Sequence, residues 1–509
     1  MLFNSYAFIL GFLPPALALF FFLGRLNGVW AAAWLASASI AFYGYWSPKY
    51  IALLLGSVAF NFLCGRAIAK RAPGAGGRRI LFASVAANLI LLGFYKYADF
   101  FASSANEIAK THLPLLHVAL PIGISFFTFT QIAFLADASK GIVKEYRFVH
   151  YLLFVCYFPH LIAGPILHHA EMMPQFASAA PYRFSARCFG IGLTVFTIGL
   201  AKKVLIADPF GDIVAPIFAA AHGGVPIRLI AAWIGVLAFT CQLYFDFSGY
   251  SDMAIGISKL FGIDLPINFA SPYKATSIIQ FWQRWHMTLS RFLRDYLYFP
   301  LGGNRKGKLR RYLNLMTTMV LGGLWHGANY TFLIWGGMHG CYLMINHAWR
   351  SVFRRRRPSL PGTLISGAVT FLAVAAAWIF FRAEDVPSAF NLLRGIIGLN
   401  GIAVHPGTGP FWREFVHLFP EGAVVPEGAL QRLQFAPTRV EFAVRFLVAA
   451  LLLLAMPNTR QIVERIEGTF AGVEASRLYR YVVPGVAGVV LITALSQMQK
   501  VSPFLYFQF

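Results

Sequence analysis

Apolar runs recur along almost the whole chain, most of them near the length of about 20 residues at which a helix crosses a hydrocarbon layer. The pattern predicts such segments at 7–24, 28–46, 50–63, 80–95, 114–136, 148–167, 188–206, 228–246, 313–325, 329–347, 363–381, 440–456 and 481–496. Several are short, and Pro or Gly interrupts others, as at Pro121-Ile122-Gly123, Pro159 and Gly164-Pro165. Broken apolar segments suit re-entrant helices, which persist at membrane depth only when buried in protein or lining a wet cavity. The stretch 270–312 is too polar to span. Within it Ile278, Ile279, Phe281, Trp282, Trp285, Leu289, Phe292 and Leu293 recur at helical spacing, with Gln283, Arg284, His286, Arg291 and Arg294 between them. That segment is expected to form interfacial or re-entrant helices inside the protein.

The expected fold is all-α and polytopic, with about 11–13 membrane helices counting re-entrant ones. Composition agrees: of 509 residues 58% are hydrophobic and only 12% charged, against about a quarter charged in soluble domains. Phe occurs 50 times, as suits a surface facing lipid. No long polar stretch could build a second domain, so residues 1–509 are read as one membrane domain. The start, Met1-Leu2-Phe3-Asn4-Ser5, lacks the basic region of a cleavable signal, and the first apolar run is expected to stay as a helix.

A net charge of +23 would suit nucleic acid, but Lys and Arg sit in short loops between apolar runs, where the positive-inside rule puts them. Nucleic acid is therefore not an expected partner. Arg66, Lys70, Arg71, Arg78 and Arg79 mark one cytoplasmic loop; Lys140, Lys144 and Arg147 mark another. Arg350 with Arg354–Arg357 marks a third, and Arg460, Arg465, Arg477 and Arg480 a fourth. This count puts the N-terminus, the loop 383–438 and the tail 497–509 on the extracytoplasmic face. Five scattered cysteines (Cys64, Cys156, Cys188, Cys241, Cys341) show no metal-ligand spacing and read as small buried hydrophobes; no metal is expected.

Ionisable residues inside a membrane are expensive and point to function. Three histidines stand in apolar surroundings: Gln283-Arg284-Trp285-His286, Gly322-Gly323-Leu324-Trp325-His326-Gly327 and Trp335-Gly336-Gly337-Met338-His339-Gly340. A histidine in an apolar wall stays neutral and can accept a proton. His326 is the candidate base, with flanking glycines that permit close approach of other chains or substrate. His286, beside Arg284, is a candidate for orienting an acyl group or polarising its carbonyl. His339 reads better as a packing residue. Asp246 and Asp252 could form an acidic pair; helix capping at a break explains them better. Arg305, Lys306, Lys308, Arg310 and Arg311 suit either donor phosphates or plain cytoplasmic anchoring. The aromatic tail Phe504-Leu505-Tyr506-Phe507-Gln508-Phe509 suits a docked end, and a phenol such as Tyr506 needs a base before it can act as a nucleophile.

These motifs resemble the membrane-bound O-acyltransferase family, and within it the alginate O-acetyltransferase branch. The resemblance rests on Tyr95-Lys96-Tyr97, Leu120-Pro121-Ile122-Gly123-Ile124-Ser125-Phe126, Phe158-Pro159-His160-Leu161-Ile162-Ala163-Gly164-Pro165 and the run Tyr244–Gly256. It continues through Phe281-Trp282-Gln283-Arg284-Trp285-His286, Leu293–Tyr298, Leu301-Gly302-Gly303-Asn304-Arg305 and Gly322–Gly327, covering most of residues 1–382 in order. It implies a ring of membrane helices around a tunnel, with the family's catalytic histidine at His326 and its second polar position at His286. It also implies a thioester donor from the cytoplasm and an acceptor hydroxyl from the opposite side. The tail resembles the aromatic motif of the D-alanyl teichoic-acid system, in which a tyrosine, here Tyr506, accepts the acyl group transiently.

The resulting expectation is a multi-pass inner-membrane O-acetyltransferase acting on a cell-envelope polysaccharide of alginate type. His326, His286 and Tyr506 are its catalytic candidates. Arg284, Trp285, Trp325, Asn329, Arg305 and Lys306 are its substrate- and donor-binding candidates. No bound cofactor is expected; acetyl-coenzyme A or an acyl-carrier protein would serve as thioester substrate. No Gly-Asp-Ser-type esterase block occurs, so a periplasmic SGNH-like transferase is the expected partner that acetylates the polymer. A transporter or channel, or an acyltransferase for a lipid or membrane-protein hydroxyl, is the alternative.

Overall fold

The computed structural model describes residues 1–71, 74–353, 359–402, 439–470, 483–498, 502, 504 and 505. Among these residues the structure is helical throughout, without strands. Six helices are long and apolar enough to cross a membrane alone: Ala7–Leu26, Pro48–Arg71, Ala75–Ala109, Ala186–His222, Leu229–Leu260 and Leu360–Arg382. A seventh crossing forms if Ala443–Leu454 and Thr459–Gly468, bent by 55° at their junction, count as one. Leucines, isoleucines and phenylalanines along these helices are exposed, for example Phe22, Phe82, Ile90 and Leu372, as a lipid-facing wall requires.

Two apolar runs break where Pro and Gly interrupt them. Residues 114–136 do not form one helix: the chain is irregular up to Pro121, and helix begins at Ile124 after Gly123 turns left-handed (φ 73°). Pro114 and Pro121 forbid regular hydrogen bonding there. The stranded backbone amides go to side chains instead: Leu116 and His117 donate to the two Asp99 carboxylate oxygens at 2.7 and 2.9 Å. The span 148–167 likewise breaks, into Phe148–Cys156 and the single turn Phe158–Leu161. The segment 270–312 contains the short helices Ile278–Trp282 and Met287–Leu293 and then a π-helical turn, Arg294–Tyr298. Arg354–Arg357, most of the loop 383–438, Arg477, Arg480 and Tyr506 lie outside the described residues.

The two ends of the chain meet. Asn4 Nδ2 donates to the Ser502 carbonyl at 3.3 Å, and the Tyr6 hydroxyl to the Leu495 carbonyl at 2.5 Å. The loop carrying Lys140, Lys144 and Arg147 follows the helix Ile124–Ser139. Sheltered packing falls into two large apolar clusters, one centred on the N-terminal helices and one on Leu229–Leu260 and Leu360–Arg382. Trp325 belongs to the first, Trp335 and Phe332 to the second. The seam between them runs past His326.

The helix Gly307–His326 packs closely on Tyr330–Val352, and the glycines around His326 serve that contact rather than a ligand. A methyl on Gly323 would stand 2.2 Å from the Phe332 carbonyl, and one on Gly327 2.1 Å from the Phe332 ring. Small residues let helix backbones approach in membranes. Gly323→Ala should therefore lower stability by about 1–3 kcal/mol through overpacking. Gly56→Ala, at a helical site with open space, should be neutral or stabilise by about 0.5–1 kcal/mol; thermal unfolding in detergent distinguishes the two.

Candidate active site

His326 ends its helix inside the protein rather than at a surface. Its ring is enclosed by aromatic neighbours: Trp325, Trp335 and Phe381 lie edge-on, with centroids 5.0, 5.1 and 5.1 Å away. The last carbonyls of an α-helix have no partner within it, and at this depth no bulk water replaces one. Two side chains from the turn Gly93–Tyr97 supply it. Lys96 Nζ donates to the carbonyls of Trp325 at 2.5 Å and His326 at 3.1 Å, and Tyr97 donates to that of Leu324 at 2.9 Å. This turn is π-helical; its extra residue swings Lys96 and Tyr97 onto one side, a distortion often found at functional sites.

His286 is the second ring, 6.5 Å from His326 between centroids and fully buried. Its backbone is left-handed (φ 42°), a strained conformation for a residue with a Cβ and one concentrated at functional sites. Asn268 Oδ1 receives the Thr288 amide at 3.3 Å, the Thr288 hydroxyl at 2.9 Å and His286 Nδ1 at 3.1 Å. Because that oxygen only accepts, a neutral His286 carries its proton on Nδ1 and its lone pair on Nε2. Phe247 stands edge-on at 4.8 Å and holds the ring.

Two cavities flank the pair. One, of about 270 Å³, is lined by Ser47, Lys96, Pro121, Ser125, Trp325 and His326. It lies on the face of the chain ends, since Trp46 Nε1 donates to the Met1 carbonyl at 2.9 Å. The other, of about 260 Å³, is lined by Gln283, Met287, Thr288, Ser290, Arg291 and Arg294 among others. It lies on the basic face: Lys140 of the loop there sits 5.4 Å over the Tyr296 ring, on the same turn as Arg294. One cavity therefore touches His326, and the other touches the two residues that follow His286.

The described part of the tail reaches this layer too. Ser502 Oγ donates to Asp208 at 2.6 Å, and the Leu505 amide to Asp246 Oδ2 at 3.1 Å. Phe504 is buried edge-on against Tyr250, 4.4 Å between centroids, with Lys203 Nζ 4.9 Å from its ring. Lys203 bridges Asp208 at 2.8 Å and Asp246 at 2.7 Å, and Lys202 pairs with Asp252 at 2.6 Å. The expectation that Asp246 and Asp252 cap a broken helix is thus corrected. Leu229–Leu260 runs unbroken, and both carboxylates neutralise lysines whose burial would otherwise be costly.

Comparison with known proteins agrees with this architecture. Residues 80–381 match the membrane-bound O-acyltransferase family. The chain belongs to that family. It is similar to the peptidoglycan O-acetyltransferase of Helicobacter pylori, 43% identical over 79% of this chain and 81% of the relative. It is also similar to the probable alginate O-acetylase AlgI of Pseudomonas aeruginosa, 40% identical over 77% and 74%. A third relative, the probable alginate O-acetylase AlgI of Azotobacter vinelandii, is 35% identical over the full length of both chains. The protein is a multi-pass membrane O-acetyltransferase, and the transporter alternative falls away.

Within this acyltransferase the remaining candidates separate by position. Trp325 lines the cavity that His326 faces. Trp285 is buried behind the site, stacked on Phe281 at 5.7 Å and close to Trp378. Asn329 caps the helix Tyr330–Val352, accepting from the Thr331 amide at 3.0 Å and donating to the Glu384 carbonyl at 2.7 Å. Arg305 and Lys306 stand exposed at the far end of the His326 helix, about 30 Å away at 1.5 Å per residue. The Arg284 carbonyl accepts from the Ala270 amide at 2.9 Å, and its side chain lines neither cavity. His339 packs among aromatics and accepts from Trp282 Nε1 at 3.3 Å, a structural place. Sequence reasoning noted Lys96 and Ser125 only within family motifs, without a role, and missed Asn268. It recorded Gln283, Arg291 and Arg294 only as polar positions between apolar ones.

Asp137, His168 and His169 present ligand atoms within 4.8 Å of one another, a spacing open to a metal. However, His168 Nδ1 accepts the Ala170 amide at 3.3 Å, which puts its proton on Nε2. A metal-ligating imidazole instead donates from its second nitrogen. Nε2 lies 2.8 Å from the Tyr296 oxygen, and Tyr296 donates to Asp137 at 2.6 Å, so the group reads as a hydrogen-bonded tie on the basic face.

Replacing Asn268 by Leu removes the acceptor that orients His286 and strands buried donors, at a cost of about 1–3 kcal/mol in stability. The transfer rate should fall about tenfold or more, the effect of 1.4 kcal/mol. Thermal unfolding and acetyl-transfer rate measured on the same preparation test both.

Proposed function

We propose that the protein moves an acetyl group from a cytoplasmic thioester, through the layer of His286 and His326, to a hydroxyl on the opposite face of the bacterial inner membrane. The observation that carries this reading is the pair of buried imidazoles with one cavity touching His326 and a separate one touching the residues after His286. The second cavity has Gln283, Arg291 and Arg294 in its wall; the two arginines pair with Glu171 and Asp295, and exchanging those carboxylates for phosphate would let them hold the anionic carrier of the thioester, whether acetyl-coenzyme A or an acyl-carrier protein. The acceptor oxygen attacks the thioester carbonyl while His326 takes its proton. The tetrahedral intermediate then expels the thiolate, which recovers that proton from His326. A neutral His286 offers a lone pair from Nε2, so its part is to accept a hydrogen bond that positions the donor. Stabilising an oxyanion from Nε2 would require it to be protonated.

The cavity touching His326, at about 270 Å³, lies just below the 300–1,000 Å³ of ordinary ligand pockets. It suits one side chain or one small group better than a polymer strand. That favours a relay in which Tyr506 takes the acetyl group first, since Leu505, its neighbour in sequence, is tied to Asp246. A periplasmic SGNH-like transferase then carries the group to the polymer. The polymer is of alginate type, as the names of two relatives suggest; peptidoglycan is the second reading, favoured by the 43% identity to the Helicobacter pylori enzyme. In either case Arg284, Trp285, Asn329, Arg305 and Lys306 serve as supports or anchors away from the reacting atoms, and Trp325 as cavity wall.

His326→Ala should abolish acetylation of the envelope polymer while the protein stays at its normal level in the membrane. Retained acetylation would remove His326 from this role. Tyr506→Phe deletes one hydroxyl and should cut acetylation at least about 100-fold if the relay operates. Peptide mass spectrometry of active membranes should find an acetyl mass on Tyr506, and full activity of the Phe variant would rule the relay out.

A further inference from the structure

We propose that Lys96 is a functional residue of the transfer step: its ammonium fixes His326 through the end of the histidine helix and lends positive charge to the face where the hydroxyl loses its proton. The inference rests on the reading of His326 as base given above. Lys96 lies within the membrane-crossing helix Ala75–Ala109, where a lysine ordinarily extends toward the nearest surface. This one turns inward. Its three contacts are the Trp325 carbonyl at 2.5 Å, the His326 carbonyl at 3.1 Å and the Ser125 hydroxyl at 3.3 Å.

Three acceptors match the three donors of an ammonium group, and the end of a helix favours a cation. The ion pairs among the described residues match Lys202 and Lys203 with aspartates but include none for Lys96. A buried lysine that serves only architecture is expected to be neutralised in that way. Lys96 instead lines a cavity together with His326 and Ser125, so its charge, when the amine is protonated, faces that cavity.

Charge develops in that cavity during transfer. As the acceptor O–H bond breaks toward His326 and the new C–O bond forms, negative charge builds on the acceptor oxygen and then on the former carbonyl oxygen. It leaves with sulfur when the C–S bond breaks. A fixed cation beside the attacking oxygen stabilises the first part of this sequence, and groups so placed contribute about 100-fold or more to a rate. Tyr97, one residue on, performs only the capping part, since it is neutral and bonds the Leu324 carbonyl. The two neighbours therefore separate charge from capping.

The test compares Lys96→Arg, Lys96→Gln, Lys96→Met and Tyr97→Phe with His326→Ala in cells lacking the native copy. The initial rate of labelled-acetate incorporation into base-labile envelope esters is read at matched membrane protein level, with thermal stability in detergent as a second readout. Lys96→Gln and Lys96→Met should fall about 100-fold, Lys96→Arg should keep at least about a tenth of the rate, and Tyr97→Phe, which removes a cap but no charge, should lower thermal stability while losing less rate than Lys96→Gln. If Lys96→Met fails to accumulate, the Gln and Arg variants alone decide. A Gln variant at half the native rate or above, or an Arg variant as inactive as Gln, overturns the proposal. If that happens while His326→Ala is inactive, only the role of Lys96 falls; if His326→Ala is active, the reading of the site falls with it.

Discussion

A helix that stops inside a membrane protein leaves carbonyl groups that neither lipid nor bulk water will satisfy, and the site is organised around that constraint. Gly307–His326 ends with the carbonyls of Leu324, Trp325 and His326 facing Tyr97 and Lys96. An unpaired polar group costs several kcal/mol in such surroundings, so the end of this helix and the turn Gly93–Tyr97 are bound to one another. The position of His326 follows from that bond. The aromatic rings around it then exclude alternative rotamers, and Gly323 and Gly327 allow the neighbouring helix to close behind it.

Charge elsewhere at this depth is handled by pairing. Lys202 meets Asp252, and Lys203 meets both Asp208 and Asp246. The second cluster has a further use, because Ser502 and Leu505 bond to the same two aspartates that hold Lys203. One buried ion-pair group thereby fixes both the middle of the Leu229–Leu260 helix and the approach of the chain's tail. Three of the four π-helical turns among the described residues carry such polar residues: Lys96, the pair Lys202–Lys203, and Arg294 with Tyr296. The extra residue in each redirects side chains that a regular helix would send to lipid.

Relatives named for peptidoglycan and for alginate are both similar over most of the chain. The proposed transfer site, two buried imidazoles beside two small cavities, would account for this, because cavities of that size do not read the structure of a polymer. In the proposed scheme the membrane step is common to such proteins, and polymer choice belongs to the separate transferase.

Membrane class, the all-helical fold and the two essential-looking histidines were legible in the chain because they depend on composition and local pattern. Low charge and apolar runs specify lipid as solvent, and a histidine in an apolar run stands out without coordinates. The breaks at Pro121-Ile122-Gly123 and Pro159 were legible too; what was not was the partner, since distant side chains such as Asp99 take up the freed backbone groups. Asp246 looked like a cap because nothing local reveals that Lys203, 43 residues earlier, lies against it. Lys96 was given no role, and Asn268 was overlooked, for the same reason: their partners lie 230 and 18 residues away. Local chemistry thus determined which residues stood out as candidates. Tertiary packing alone decided which of them meet, because a buried polar group takes its partner from whatever the fold brings within 3 Å.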